Sequence, residues 1–138
     1  MDTSKMLVAG LIGGAVALLL GFLLYGTLLA DFFAKNSGSA SGVMRADSEL
    51  LWIPMIIGHL SWGLLFAVVF GRWASISTLN TGLKAGAVLG LLIGTTFSMI
   101  NLGTTNISNT TAAIADIAVM TVISAIIGGV VGWYLGRK

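Results

Sequence analysis

Four long apolar runs dominate this chain and restrict what it can become. Residues 6–30 carry no charge, and 50–70 contain His59 as their only ionisable side chain. Residues 82–101 have Lys84 near their start, and 112–135 have one charged residue, Asp116. A helix needs about 20 apolar residues to cross a hydrocarbon core of ~30 Å, and each run is long enough. None shows the ~10-residue alternating segments of a membrane β-barrel. The pattern predicts an all-α fold: an integral membrane four-helix bundle, one transmembrane domain over residues 1–138. Pro54 falls in the first turns of the second run, where its missing N–H costs least.

Composition narrows the function classes. The chain is 57% hydrophobic and 9% charged, against about 25% charged in soluble domains. Seven basic and five acidic side chains are too few to coat a water-soluble particle. An ordinary soluble enzyme, a disordered tail and a nucleic-acid module are therefore excluded, and no basic run offers a phosphate-backbone surface. There is no Cys, which removes disulfides, thiolate metal sites and thiol catalysis. One His cannot build a multi-histidine metal site, and no metal or cofactor is expected. The expected partners are the lipid bilayer and either a second copy or another membrane protein.

The first run exceeds the 7–15 residues of a signal-peptide core, and Ala30-Asp31-Phe32 is a poor cleavage site, so a retained anchor is expected. Orientation follows from Lys and Arg. With both termini on one side, that side holds Lys5, Arg72, Lys84, Arg137 and Lys138, and the other holds Lys35 and Arg45. This bias places both termini in the cytoplasm, with Trp73, Trp133 and Tyr134 at the inner interface and Trp52, Phe32 and Phe33 near the outer one. The first outer loop contains a Gly/Ser-rich stretch, 36–42, expected to be a flexible spacer or, in a sharper reading, a lid. Asn106-Ile107-Ser108 and Asn109-Thr110-Thr111 match glycosylation acceptors, a pattern common by chance. Gly14-Ala15-Val16 echoes Gly86-Ala87-Val88, and Gly71-Arg72 echoes Gly136-Arg137, a weak hint of a duplicated hairpin.

The strongest local pattern is a ladder of small residues. In the third run Gly82, Gly86, Gly90, Gly94 and Ser98 recur every fourth residue; in the fourth run Ser124, Gly128, Gly132 and Gly136 do the same. Residues four apart share a ridge, and a ridge without Cβ atoms lets backbones approach closely in a membrane. The third and fourth helices are expected to pack through these ridges. Matching their depths pairs Gly82 with Gly136, Gly86 with Gly132, Gly90 with Gly128 and Gly94 with Ser124. Gly10 and Gly14 form a shorter version in the first helix.

Extending that match outward sets Ser98 opposite Met120 and Asn101 opposite Asp116. An intramembrane carboxylate is costly and faces the bundle, so Asn101 and Tyr25 are expected to donate to Asp116. His59, with Trp62 on its face, is expected deeper, as the floor of a polar funnel opening outward. Tyr25, His59, Trp62, Asn101 and Asp116 form the candidate ligand-binding set. The plainer alternatives are a hydrogen-bonded structural carboxylate at Asp116 and a buried neutral imidazole at His59. No catalytic residue is assigned: Ser61 lies on a different face from His59, and no Ser sits in a nucleophile turn.

The segment Arg72-Trp73-Ala74-Ser75-Ile76-Ser77-Thr78, the glycine ladder and Gly128-Gly129-Val130-Val131-Gly132-Trp133 together resemble small four-helix bacterial membrane proteins of unknown function. That resemblance implies the bacterial inner membrane and carries no functional residue with it. Small multidrug transporters place a Glu in their first helix, which this chain lacks. The expected function is non-enzymatic: binding or translocation of a small solute through an outward-facing polar cavity. The alternative is a non-catalytic scaffold or accessory subunit of a larger membrane complex.

Overall fold

A computed structural model describes residues 2–137; Met1 and Lys138, the latter counted in the charge bias, lie outside the described residues. The helices are α1 (Thr3–Leu23), α2 (Ala30–Lys35), α3 (Trp52–Val68), α4 (Leu79–Thr104) and α5 (Thr110–Gly136). π-Helical turns continue α1 over Leu24–Leu28 and α3 over Val69–Ala74. Four helical spans, Thr3–Leu28, Trp52–Ala74, Leu79–Thr104 and Thr110–Gly136, are long and apolar enough to cross a membrane. α1, α4 and α5 begin ahead of the apolar runs because polar residues cap them. Asp2 accepts from Ser4 N, Thr78 from Thr81 N and Asn109 from Ala112 N, each satisfying a free N–H of the first turn.

α5 is central. α4 packs on it along nearly its whole length, α1 lies on its other side, and α3 packs mainly on α1. The core sits where α1, α3 and α5 meet. Phe66, Phe70, Ile123, Ile127 and Val131 are fully buried there, with Met6, Ala9 and Ala17 around them. Phe66 and Phe70 meet edge to face at 5.6 Å, a favoured aromatic geometry.

Small residues set the helix spacing. A Cβ on Gly128 would stand 2.8 Å from the Gly86 Cα, and one on Gly132 would stand 3.2 Å from the Gly82 Cα. A Cβ on Gly90 would meet Ser124 Oγ at 2.6 Å, and one on Gly94 would meet Met120 Cβ at 3.1 Å. The facing pairs are therefore Gly82–Gly132, Gly86–Gly128, Gly90–Ser124 and Gly94–Met120, one helical turn away from the expected register. The connection explains the shift. α4 ends at Thr104 and α5 starts at Thr110, so this tight hairpin is symmetric about Ile107. Residues equidistant from Ile107 face each other, whereas matching the two ends of the ridges ignores the turn. A second glycine contact joins α1 to α3: a Cβ on Gly63 would run into Gly14 and the Gly10 carbonyl.

The ends of the bundle differ. At one end Lys5 donates to the Arg137 carbonyl, and Arg72 Nη2 donates to Thr3 Oγ1 at 2.6 Å. The start of α1 and the ends of α3 and α5 therefore lie together. At the other end the two loops are stitched. Gly38 N donates to Ile107 O and Ala40 N to Asn106 O, both at 2.9 Å, and Asn109 N donates to Asn36 O at 3.2 Å. The stretch expected as a spacer is thus pinned over 36–40. Gly38 is required there because a Cβ would collide with the Asn106 carbonyl. Asn109 spends its side chain on the α5 cap and on Asn36 Oδ1.

Candidate functional site

Asp116 lies about two turns inside α5, and three helices converge on it. Tyr25 Oη donates to Asp116 Oδ1 at 2.5 Å, and Ser98 Oγ donates to Oδ2 at 2.6 Å. Each donor has a local cause. Ser98 continues the small-residue ridge of α4 and sits nine positions before Ile107, as Asp116 sits nine after it. Tyr25 belongs to the π turn, where Leu29 N donates to Leu24 O at 2.8 Å. That i→i−5 bond accommodates one extra residue and re-aims the side chains of the turn. π turns of this kind recur at functional sites. Gly26-Thr27, two weak helix formers, fall inside it. Both bonded partners are neutral.

Aromatic rings adjoin the cluster. Phe33, on α2, packs against Tyr25 with centroids 5.2 Å apart, and Phe32 meets Phe33 edge to face at 5.5 Å. The stitched loops lie at the same end of the bundle as this aromatic group.

The other expected residues fall elsewhere. Asn101 is exposed on α4, and its carbonyl accepts from Thr105 N and Oγ1. The one-turn register shift puts Ser98 where Asn101 was expected, so Asn101 is not the partner found on Asp116. His59 is half-buried on α3, with Nδ1 donating to the Met55 carbonyl at 2.7 Å. The imidazole therefore bonds to its own helix, not to a neighbouring hydroxyl. Its Nε2 edge lies against α1, where a Cβ on Gly21 would stand 2.9 Å away. Trp62 stacks obliquely near His59, with centroids 6.5 Å apart, and its buried Nε1 has no hydrogen-bond partner. Between the His59 and Asp116 levels the hydroxyls turn inward to their own helices. Thr96 Oγ1 donates to Leu92 O at 2.8 Å and Thr121 Oγ1 to Ile117 O at 2.7 Å.

The structure thus brings Tyr25 and Asp116 together with Ser98, and separately brings His59 to Trp62. Two grooves lie at the opposite end of the bundle. One of about 490 Å³ is lined by residues of α1 and α5, and one of about 260 Å³ by residues of α1 and α3 with Arg72. Ser98 was the residue that sequence reasoning missed as a partner of Asp116. Its signal was present in the short, symmetric α4–α5 connection. Comparison with known protein families, with curated proteins and with solved structures gives no match.

Proposed function

We propose that this chain is a multi-pass membrane protein that takes up a small cation from its outer side at Asp116. Four spans of sufficient length and apolarity and the clustering of Lys5, Arg72 and Arg137 at one end support insertion with that end in the cytoplasm. The observation that carries the functional reading is the donor set. Among the described residues, the hydrogen-bond donors to this carboxylate, which lies within a candidate membrane span, are two neutral hydroxyls, from Tyr25 and Ser98. Ionisable groups at such depth mark ion or proton pathways. The carboxylate supplies a negative charge that a proton, a small monovalent cation or a primary ammonium would neutralise. Asp116 supplies the charge, Ser98 and Tyr25 orient it, and Phe33 covers Tyr25. This narrows the expected small solute to a cation and leaves His59 and Trp62 outside the first contacts.

The test is ligand-linked stability of the purified protein in detergent. Sodium, potassium, guanidinium and methylammonium chlorides are compared at equal ionic strength. Binding at ~100 times Kd stabilises the folded state by about 2.7 kcal/mol, a melting shift of several degrees. One of these cations is expected to raise the melting temperature of the wild type and not that of Asp116→Asn. If none separates the two proteins, and dicyclohexylcarbodiimide fails to label Asp116 at low pH, the cation reading is refuted.

A second reading is a non-catalytic scaffold or accessory subunit for another membrane protein or a second copy. It is favoured by the same geometry, since both Asp116 oxygens already have donors. In that case Asp116→Asn is mild, and no cation distinguishes it from the wild type.

A further inference from the structure

We propose that the groove between the inner ends of α1 and α5 is a binding site for the headgroup phosphate of an anionic phospholipid. The inference rests on insertion in a membrane and is independent of the reading of Asp116. The groove, about 490 Å³, is lined by Asp2, Ser4, Lys5, Val8, Tyr134 and Arg137. Two cations and two hydroxyls therefore share one concave surface with an apolar side chain.

The fold brings these groups together. Lys5 donates to the Arg137 carbonyl, clipping the first turn of α1 to the end of α5. This leaves two of the three ammonium protons for a ligand. The Arg137 guanidinium lies 4.6 Å from the Trp133 ring centroid, a cation–π contact. Among the described residues no hydrogen bond engages the guanidinium, and its N–H groups can make the paired hydrogen bonds that suit phosphate. Indoles prefer the membrane interface, the level at which lipid phosphates lie.

The charge fits a lipid phosphodiester. Among the described residues lining the groove, Asp2, whose carboxylate caps α1 through Ser4 N at 3.2 Å, offsets one of the two cations, and the positive charge left over matches a monoanionic phosphate. Its free carboxylate lone pairs can accept from a glycerol hydroxyl. The apolar continuation favours a lipid over free phosphate. Val8 lines the groove, and Val8 and Leu11 are 41% and 47% exposed down the same helix, giving an acyl chain an apolar track. Arg72, at the same end, lines a different groove and donates to Thr3, which makes it the internal control.

The experiment is native mass spectrometry of the full chain in mild detergent, with equal amounts of phosphatidylglycerol, phosphatidylethanolamine and phosphatidylcholine. Near-surface cations attract anionic lipid measurably, and retention of phosphatidylglycerol is expected to exceed that of either other lipid by about tenfold. Lys5→Gln with Arg137→Gln is expected to abolish that preference, and Arg72→Gln to preserve it. Arg137→Gln alone, at an exposed position, serves if the double variant does not fold, and should reduce the preference severalfold. Equal retention of the three lipids overturns the proposal. So does an unchanged preference in the Arg137 variant, or complete competition by millimolar inorganic phosphate, which would assign the groove to the free ion.

Discussion

Replacing Gly128 by Ala tests the close approach of α4 and α5 with a single methyl group. The new Cβ would stand 2.8 Å from the Gly86 Cα and closer still to the Gly82 carbonyl oxygen. Carbon atoms pack at about 3.5–4.0 Å, and both neighbours are backbone, so no side chain can rotate away. The helices must separate locally by about 1 Å. A gap of that size forfeits a quarter to a half of each contact's ~0.1–0.2 kcal/mol. Over some twenty pairs along this part of the ridge the loss is about 0.5–2 kcal/mol, and a weakened Cα–H···O contact adds about 0.5–1 kcal/mol to it. Ala favours the helix over Gly by about 1 kcal/mol, so a net loss of about 1 kcal/mol remains, within the usual range for overpacking. Gly58 provides the control, because a Cβ there meets nothing within 4 Å. Gly58→Ala is expected to gain about 0.5–1 kcal/mol. Thermal and chaotrope unfolding in one detergent should separate the two variants by about 2 kcal/mol. If Gly128→Ala proves as stable as Gly58→Ala, the facing of Gly86 and Gly128 is wrong.

Two further outcomes follow from local contacts. Ser124 Oγ is buried without a partner, so Ser124→Ala removes an unsatisfied hydroxyl and should leave stability unchanged or raise it by up to ~1 kcal/mol; a clear loss in the same unfolding assay would reveal a partner. Gly38→Ala places a Cβ against the Asn106 carbonyl and should break the stitch between the 36–40 and 106–109 segments, read as faster hydrogen exchange at the Gly38 and Ala40 amides with the α5 core unaffected.

The helical spans were legible because lipid imposes one strong rule, a long apolar run per crossing, and residues 82–101 and 112–135 obey it with polar caps on either side. The ladder Gly82, Gly86, Gly90, Gly94 was equally legible as a ridge. Its register was not, because a four-residue period looks the same after a one-turn slip. Only the hairpin centred on Ile107 breaks that degeneracy, and the error carried straight to the site, exchanging Ser98 for Asn101. The break between Leu28 and Ala30 was hidden for another reason. Its residues are apolar, and hydropathy does not distinguish an i→i−4 turn from an i→i−5 turn. The pairing of 36–40 with 106–109 was hidden because all but one of its bonds, that from Asn109 to Asn36 Oδ1, are backbone to backbone, so the Gly/Ser-rich sequence between helices gave only the signal of flexibility.

The choice of Asp at position 116 can be argued from its partners. Two hydroxyls donate to it, one on each carboxylate oxygen, from the π turn after α1 and from α4, and an Asn could keep both contacts, its Oδ1 accepting from one hydroxyl and its Nδ2 donating to the other, without bringing charge into a candidate membrane span. A carboxylate in apolar surroundings costs several kcal/mol even after relaxation, and hydroxyl donors offset only part of that. If Asp116 served only to tie α1, α4 and α5 together, Asn would do so at lower cost. The formal charge is useful where a proton or small cation arrives to meet it, and the π turn that carries Tyr25 is the one irregular segment of backbone at this level of α1. Asp116→Asn is therefore expected to keep or raise stability in cation-free buffer while removing the cation-dependent shift. A mild effect on stability, with no cation dependence that separates Asp116→Asn from the wild type, would refute the cation reading and return the function to the scaffold reading.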